Sequence, residues 1–226
     1  MIRNSIILCL IILTNFIHAQ DKEWVLISSK NSVESYKASG IDSDIDEFRA
    51  ITTLNCRLDI IAVILKDFPR YSEWMPNCIE ARQIATIDDN NLRLYYQHHT
   101  PWPVRNRDAV LHVASRLDTI TKALYISSIA VNDSRSPPFD NPVRMAKMEA
   151  YWKIQFIDEN HTRISYRLLS DPGGYIPISQ ANRFTAKLPY QTLRGLKQMI
   201  CDPEYLIKAA TTREKMIVDK YFIETE

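Results

Sequence analysis

The sequence predicts an α+β fold, a mostly antiparallel sheet of about eight strands covered by a helix from the C-terminal part of the chain. Three observations carry this. Several segments alternate apolar and polar residues with period two, the connections between them are short and turn-like, and two helical stretches interrupt the series. At 226 residues, one compact domain with an appendage is the expected size.

In chain order, the N-terminal segment comes first. Arg3 is followed by the apolar run Ile6, Ile7, Leu8, Cys9, Leu10, Ile11, Ile12 and Leu13, and Ala19 precedes Gln20. The run is shorter than the roughly 20 residues that span a bilayer, so residues 1–19 read as a secretory signal peptide cleaved after Ala19, with an uncleaved N-terminal anchor as the alternative. The expected location is periplasmic or secreted, and the division is 1–19 signal, 20–202 main domain and 203–226 helical extension.

Strands are expected over 32–38, 47–55, 79–87, 92–98, 108–117 and 123–131. The clearest places Met148, Ala150, Trp152, Ile154 and Phe156 on one face, with Lys147, Glu149, Tyr151, Lys153 and Gln155 on the other. After the turn residues Asp158, Glu159 and Asn160 it pairs with a strand carrying Ile164, Tyr166 and Leu168. A first helix starts with Asp59 as N-cap and stops before Pro69. A longer one starts with Pro177 at its first position and runs past Phe184 to Ile200, kinked or divided by Pro189. The last stretch, 203–226, reads as one amphipathic helix whose apolar face holds Leu206, Ile207, Met216 and Ile217. A twisted sheet closing on a helix leaves room for an apolar cavity with a few placed polar groups.

Composition excludes several function classes. Lys plus Arg number 28 against 27 for Asp plus Glu, which gives no basic stripe for nucleic acid. The four glycines form neither a dinucleotide fingerprint nor a P-loop. Cys56, Cys78 and Cys201 have no metal-ligand spacing and read as small buried hydrophobes, with one disulfide pair left open. His98 and His99 are adjacent on a strand, so they cannot ligate one metal together. Arg107 and Asp108 point to opposite faces and are expected to hold separate structural partners. Gly173 and Gly174 are expected to supply positive backbone angles at a strand-to-helix turn. Trp102, between Pro101 and Pro103, reads either as a membrane-touching loop or as a packed loop anchor.

The string Pro101-Trp102-Pro103-Val104-Arg105-Asn106-Arg107-Asp108 resembles the START domain, the StAR-related lipid-transfer module. Other pieces agree in order: Trp24, the segment from Ser32 to Tyr36, the stretch from Asp67 to Trp74, Val143 with Arg144, Trp152, and the turn Asp171-Pro172-Gly173-Gly174-Tyr175-Ile176-Pro177. The resemblance spans residues 22 to about 200 and implies a helix-grip fold, like that of Bet v 1, around one hydrophobic ligand. It implies no catalytic residue, cofactor or metal. The structural motif would be Trp102, Pro103, Arg107, Asp108, Arg144, Gly174 and Pro177. The cavity would be lined by Leu94, Tyr96, His98, Leu111, Val113, Ser128, Met148, Trp152, Tyr166, Leu168 and Phe184.

Sterol-binding relatives carry a charged pair in the cavity. The matching positions here are Leu94 and Val113, so a ligand head would rely on neutral groups such as Tyr96, Tyr166, Ser128 and His98. The resemblance also implies a lid near Ser136, Pro137, Pro138 and Phe139. The expected partner is a single lipid or amphiphile, taken up by a monomer with transient membrane contact and released when the C-terminal helix or nearby loops open. Two alternatives remain. One is a cyclase- or aromatase-like or hydrolytic enzyme using His98, Tyr96 or Tyr166 in the same cavity, and the other is an interaction module whose cavity is filled by its own side chains.

Overall fold

The computed structural model describes residues 22–40, 44–133, 142–145 and 147–224. Ten strands form a single sheet: β1 Val25–Lys30, β2 Val33–Ala38, β3 Glu47–Leu54, β4 Cys78–Asp88, β5 Asn91–His98, β6 Arg107–Asp118, β7 Ala123–Ala130, β8 Val143–Arg144, β9 Lys147–Phe156 and β10 Thr162–Asp171. The order is β1-β2-β3-β10-β9-β7-β6-β5-β4, with the two-residue β8 lying parallel to β6 and every other pairing antiparallel. The expected α+β helix-grip architecture is therefore present. The signal segment and the loop at Ser136, Pro137, Pro138 and Phe139 fall outside the described residues.

Two strands exceed the expected eight. β1 escaped the alternation test because Val25, Leu26 and Ile27 are consecutive apolar residues, all exposed on the sheet edge. β8 is too short to carry a pattern. In β9 the alternation is realised residue by residue, with Met148, Ala150, Trp152, Ile154 and Phe156 all buried.

Among the described residues there are six α-helices, α1 Leu58–Lys66, α2 Tyr71–Trp74, α3 Ile178–Thr185, α4 Leu188–Met199, α5 Pro203–Ala209 and α6 Arg213–Val218; α1 to α4 pack against the sheet, and α5 and α6 pack on α1. Asp59 is not the N-cap of α1. Arg57 holds that position, while Asp59 sits buried in the first turn and accepts from Arg57 Nε at 2.9 Å, beside the positive end of the helix dipole. The stretch after Pro177 divides into α3 and α4 ahead of Pro189, and Pro177 is the N-cap instead of the first helical residue. α4 is the central gripping helix. It approaches α2 so closely that a Cβ on Gly195 would lie 2.1 Å from the Trp74 carbonyl oxygen, which leaves room only for glycine.

The expected single terminal helix is broken. Thr212 ends one segment and caps the next, its hydroxyl accepting from Lys215 N, so α5 and α6 are separate and α6 runs into a π-helical turn at Asp219–Ile223. Its apolar face is also different from the one expected. Leu206, Ile207 and Met216 are exposed and Ile217 is partly buried, whereas Tyr205, Ala209, Val218 and Phe222 enter the core. Cys56 and Cys78 are buried free thiols, but Cys201 is exposed, contrary to the reading of three buried cysteines. Burial pushes the Cys56 and Cys78 thiols up to about 12, so both stay protonated.

Candidate functional site

The inner face of the sheet and the helices enclose three adjoining chambers. The innermost, about 40 Å³, lies between Leu94, Tyr96, Leu111, Val113, Ser128, Met148, Trp152 and Tyr166 on the sheet and Leu65, Phe68, Tyr71 and Met75 on the helical side. A middle chamber of about 30 Å³ shares Met75, Tyr96, Met148 and Tyr166 with it and adds His98, Leu168, Leu188 and Thr192. The outer chamber, about 310 Å³, shares His98, Met145, Ser170 and Leu188 with the middle one. It opens between the Pro101–Val104 loop, Ile176 and the α3 residues Gln180, Ala181 and Phe184.

All eleven residues named from sequence as cavity candidates lie on this path. Leu94, Leu111, Val113, Ser128 and Trp152 line the innermost chamber, Tyr96, Met148 and Tyr166 also reach the middle one, Leu168 and His98 belong to the middle, and Phe184 is at the mouth. Sequence reasoning missed the opposing wall of Phe68, Tyr71 and Met75. Its signal was present in the spacing of Phe68, Tyr71 and Trp74, whose rings meet edge to face at 5.5 and 5.1 Å.

The interior is narrow because large side chains fill it. Trp152 and Tyr166 pack with ring centroids 4.1 Å apart. At the junction of the middle and outer chambers, the Phe184 ring meets His98 edge-on at 5.6 Å, and His98 in turn lies 6.5 Å from Tyr96. Methionines 75, 145 and 148 stand at the partitions, and unbranched thioethers repack at low cost.

Among the described residues, no Asp, Glu, Lys or Arg lines any of the three chambers. Leu94 and Val113, the positions matched to a charged pair, are both buried and apolar. The polar groups are neutral. Burial drives the Tyr96 and Tyr166 phenols well above their ordinary value, which keeps them as O–H donors. Burial, with the Arg107 charge adding to it, lowers His98 to about 4, so its imidazole is uncharged near neutral pH. His98 is only 9% exposed, and its Nδ1 has no hydrogen-bond partner; nor does the buried Thr100 hydroxyl nearby. A buried polar atom left unpaired costs roughly 1–3 kcal/mol, so these atoms favour a ligand that pairs them.

The frame around the mouth is built from the string that sequence singled out. Arg107, 2% exposed, donates to Pro172 O at 3.2 Å, to Gly173 O at 3.3 Å and to Arg105 O. Asp108, fully buried, accepts a two-pronged contact from Arg144 at 2.8 Å on each oxygen, which ties β8 to β6. Gly173 and Gly174 have φ of 62° and 71°, the left-handed turn that carries the chain from β10 into α3. Trp102 is 91% exposed, so it is not a packed anchor. With Pro103 it projects beside the mouth, and Tyr175 and Ile178 are exposed at the start of the facing helix. Among the described residues, no group of three His, Cys, Asp or Glu is placed to hold a metal.

A curved antiparallel sheet gripping a helix across an uncharged, apolar channel defines a class of proteins that enclose hydrophobic molecules. The chain belongs to the START domain family, whose family model matches residues 12–197. A StAR-related lipid transfer protein from Xanthomonas axonopodis superposes with a TM-score of 0.72 at 26% identity, over 79% of this chain and 99% of that one. Human START domain-containing protein 10 shares the fold with a TM-score of 0.73 at 21% identity, over 82% of this chain and 76% of that one. In sequence, an uncharacterized protein of Pseudomonas aeruginosa is 26% identical over 80% of this chain and 88% of its own length. The mouse START domain-containing protein 10 is also 26% identical, but only 63% of its length is matched.

Proposed function

We propose that this protein binds one uncharged lipid or amphiphile between sheet and helix, and moves it between membranes without altering it chemically. The observation that carries the reading is the lining: a continuous path free of charge, with the neutral groups of Tyr96, His98 and Tyr166 left to meet a head group. At roughly 25 cal/mol per Å² of apolar surface removed from water, a few hundred Å² contributes several kcal/mol before ordering costs are subtracted. The similarity to a lipid transfer protein supports a cargo of this kind.

The narrow inner chambers make loading a rearrangement. Phe184 must leave His98, and the element that carries it is lightly held: α3 buries only Ala181 and Thr185, whereas α4 buries six residues. Entry is from the mouth, where Trp102, Tyr175 and Ile178 present an exposed aromatic and aliphatic rim suited to a bilayer interface. Export follows from the N-terminal apolar run, and action as a monomer leaves that rim open.

The test is uptake of a fluorescent neutral lipid by wild type and by Ser128→Phe, which plugs the innermost chamber from β7. Uptake should be lost in a protein that still folds cooperatively, at a cost of about 1–3 kcal/mol for the added ring. Unchanged uptake by a folded Ser128→Phe protein would overturn the assignment of the inner chambers. Turnover of a hydrophobic substrate that His98→Ala abolishes, with binding retained, would favour an enzyme instead.

A further inference from the structure

The opposite face of the sheet carries a groove of about 600 Å³ that the cavity reading does not use. Its lining includes four cationic side chains, Arg49, Arg116, Lys153 and Arg167, and no acidic one among the described residues. Strand register explains how they meet. Tyr151 on β9 pairs with Arg167 on β10, Arg167 with Arg49 on β3, and Arg49 with Tyr36 on β2, so two arginines lie directly opposite one another on one face. Like charges in that position destabilise a sheet.

The two guanidiniums are held by rings more than by carboxylates. Arg49 lies 4.2 Å over Trp24 and 4.9 Å over Tyr36, and Arg167 lies 4.2 Å over Tyr151. Stacking fixes a guanidinium plane while leaving its N–H edge unspent. Arg49 has no acidic partner among the described residues, and its buried Nε has no hydrogen-bond acceptor. Among the described residues the carboxylate nearest Arg167 in an ion pair is Glu47, at a long 3.7 Å and already held by Lys22, and its other polar neighbour is the Tyr151 phenol. Burial, and the Arg167 charge beside it, pull the Arg49 guanidinium below its ordinary value. Arg116, by contrast, is committed to Asp118 at 2.6 Å. Lys153 stands over Tyr125 at 5.9 Å.

We propose that this outer groove is a second binding site, for an oxyanion of the phosphate or carboxylate type received by the paired edges of Arg49 and Arg167, with Lys153 flanking. An oxyanion there offsets the repulsion between the two arginines and is recognised in the two-pronged geometry that guanidinium favours. The site lies on the other side of the sheet from the lipid cavity, with Ile126 and Trp152 common to the two walls. The oxyanion can belong to a free small molecule or to a lipid head group.

Trp24 forms part of the groove wall, so its indole N–H signal, assigned with Trp24→Phe, reports on occupancy in the full mature chain. The probes are inorganic phosphate and phenyl phosphate against chloride at equal ionic strength, and phosphatidylcholine vesicles with and without phosphatidylglycerol. The expected result is a saturable shift, with affinity lowered at least about tenfold in Arg49→Gln and Arg167→Gln and partly retained in Arg49→Lys, which keeps charge but loses the fork. A response to soluble phosphates identifies a free anion as the ligand, and one confined to phosphatidylglycerol vesicles identifies a head group; both support the site. If Arg49→Gln does not fold, Arg167→Gln and Arg49→Lys carry the comparison. The site is refuted if no probe moves the Trp24 signal beyond chloride, or if folded Arg167→Gln and Arg49→Lys proteins bind as wild type does.

Discussion

Acid should weaken this fold through His98. The side chain is 9% exposed, at the end of β5, facing Tyr96 on its own strand, its cross-strand neighbours Cys78 and Arg107, and the Phe184 ring of α3. None of these stabilises an imidazolium, and Arg107 opposes it. The folded value of about 4 lies below the 6.5 of an unperturbed imidazole, so as pH falls the unfolded chain takes up its proton first. The stabilisation is complete above about 6.5 and drains away as pH drops toward about 4. Between about pH 7 and about pH 5 the loss amounts to about 2 kcal/mol from this one residue. Urea unfolding of wild type and His98→Phe across that range measures it. The wild-type curve should fall by about 2 kcal/mol more than that of the variant, which keeps an aromatic ring at this position and cannot titrate. Parallel curves, or a His98 titration observed near 6.5 by NMR, would refute the account of a desolvated, unpaired imidazole.

Three further outcomes follow from the packing. Gly195→Ala should destabilise by about 1–3 kcal/mol in chemical unfolding, because the added methyl meets the Trp74 backbone and not a movable side chain. Arg144→Ala should cost about 3–5 kcal/mol in the same assay, since it strands the fully buried Asp108 carboxylate; Arg144→Lys should recover only part of that, as it restores charge without the two-pronged contact. Phe184→Ala removes the ring that closes on His98 and should speed exchange of a bound fluorescent lipid several-fold in stopped-flow with little change in the unfolding midpoint. An unchanged exchange rate would place the gate elsewhere.

What the sequence made legible was whatever local pattern decides. Alternation placed β9 and β10 and pointed Trp152, Tyr166 and Leu168 inward, because a strand half buried must alternate. Adjacent glycines marked the turn into α3, and the position of Arg107 beside Asp108 forced them onto opposite faces with separate partners. Properties set by distant packing were not legible. The break at Thr212 depends on a hydroxyl choosing a cap over helix continuity, which put Leu206 and Ile207 outside and Tyr205 inside. β1 is apolar yet exposed, an edge that no burial rule reveals. The narrowness of the inner chambers arises from the Trp152 and Tyr166 rings packing at a tilt across paired strands, and the Arg49–Arg167 pair exists only through strand register. Composition recorded a balanced charge; register concentrated part of it on one face.

The central claim is that the uncharged channel holds one neutral lipid, and native mass spectrometry of the protein purified from its own host tests it most directly. The account predicts a stoichiometric adduct that lipid extraction identifies as an uncharged amphiphile, absent from the Ser128→Phe protein prepared the same way. A protein that emerges empty and also fails to take up neutral lipids in solution, or one whose adduct persists in folded Ser128→Phe, would contradict it.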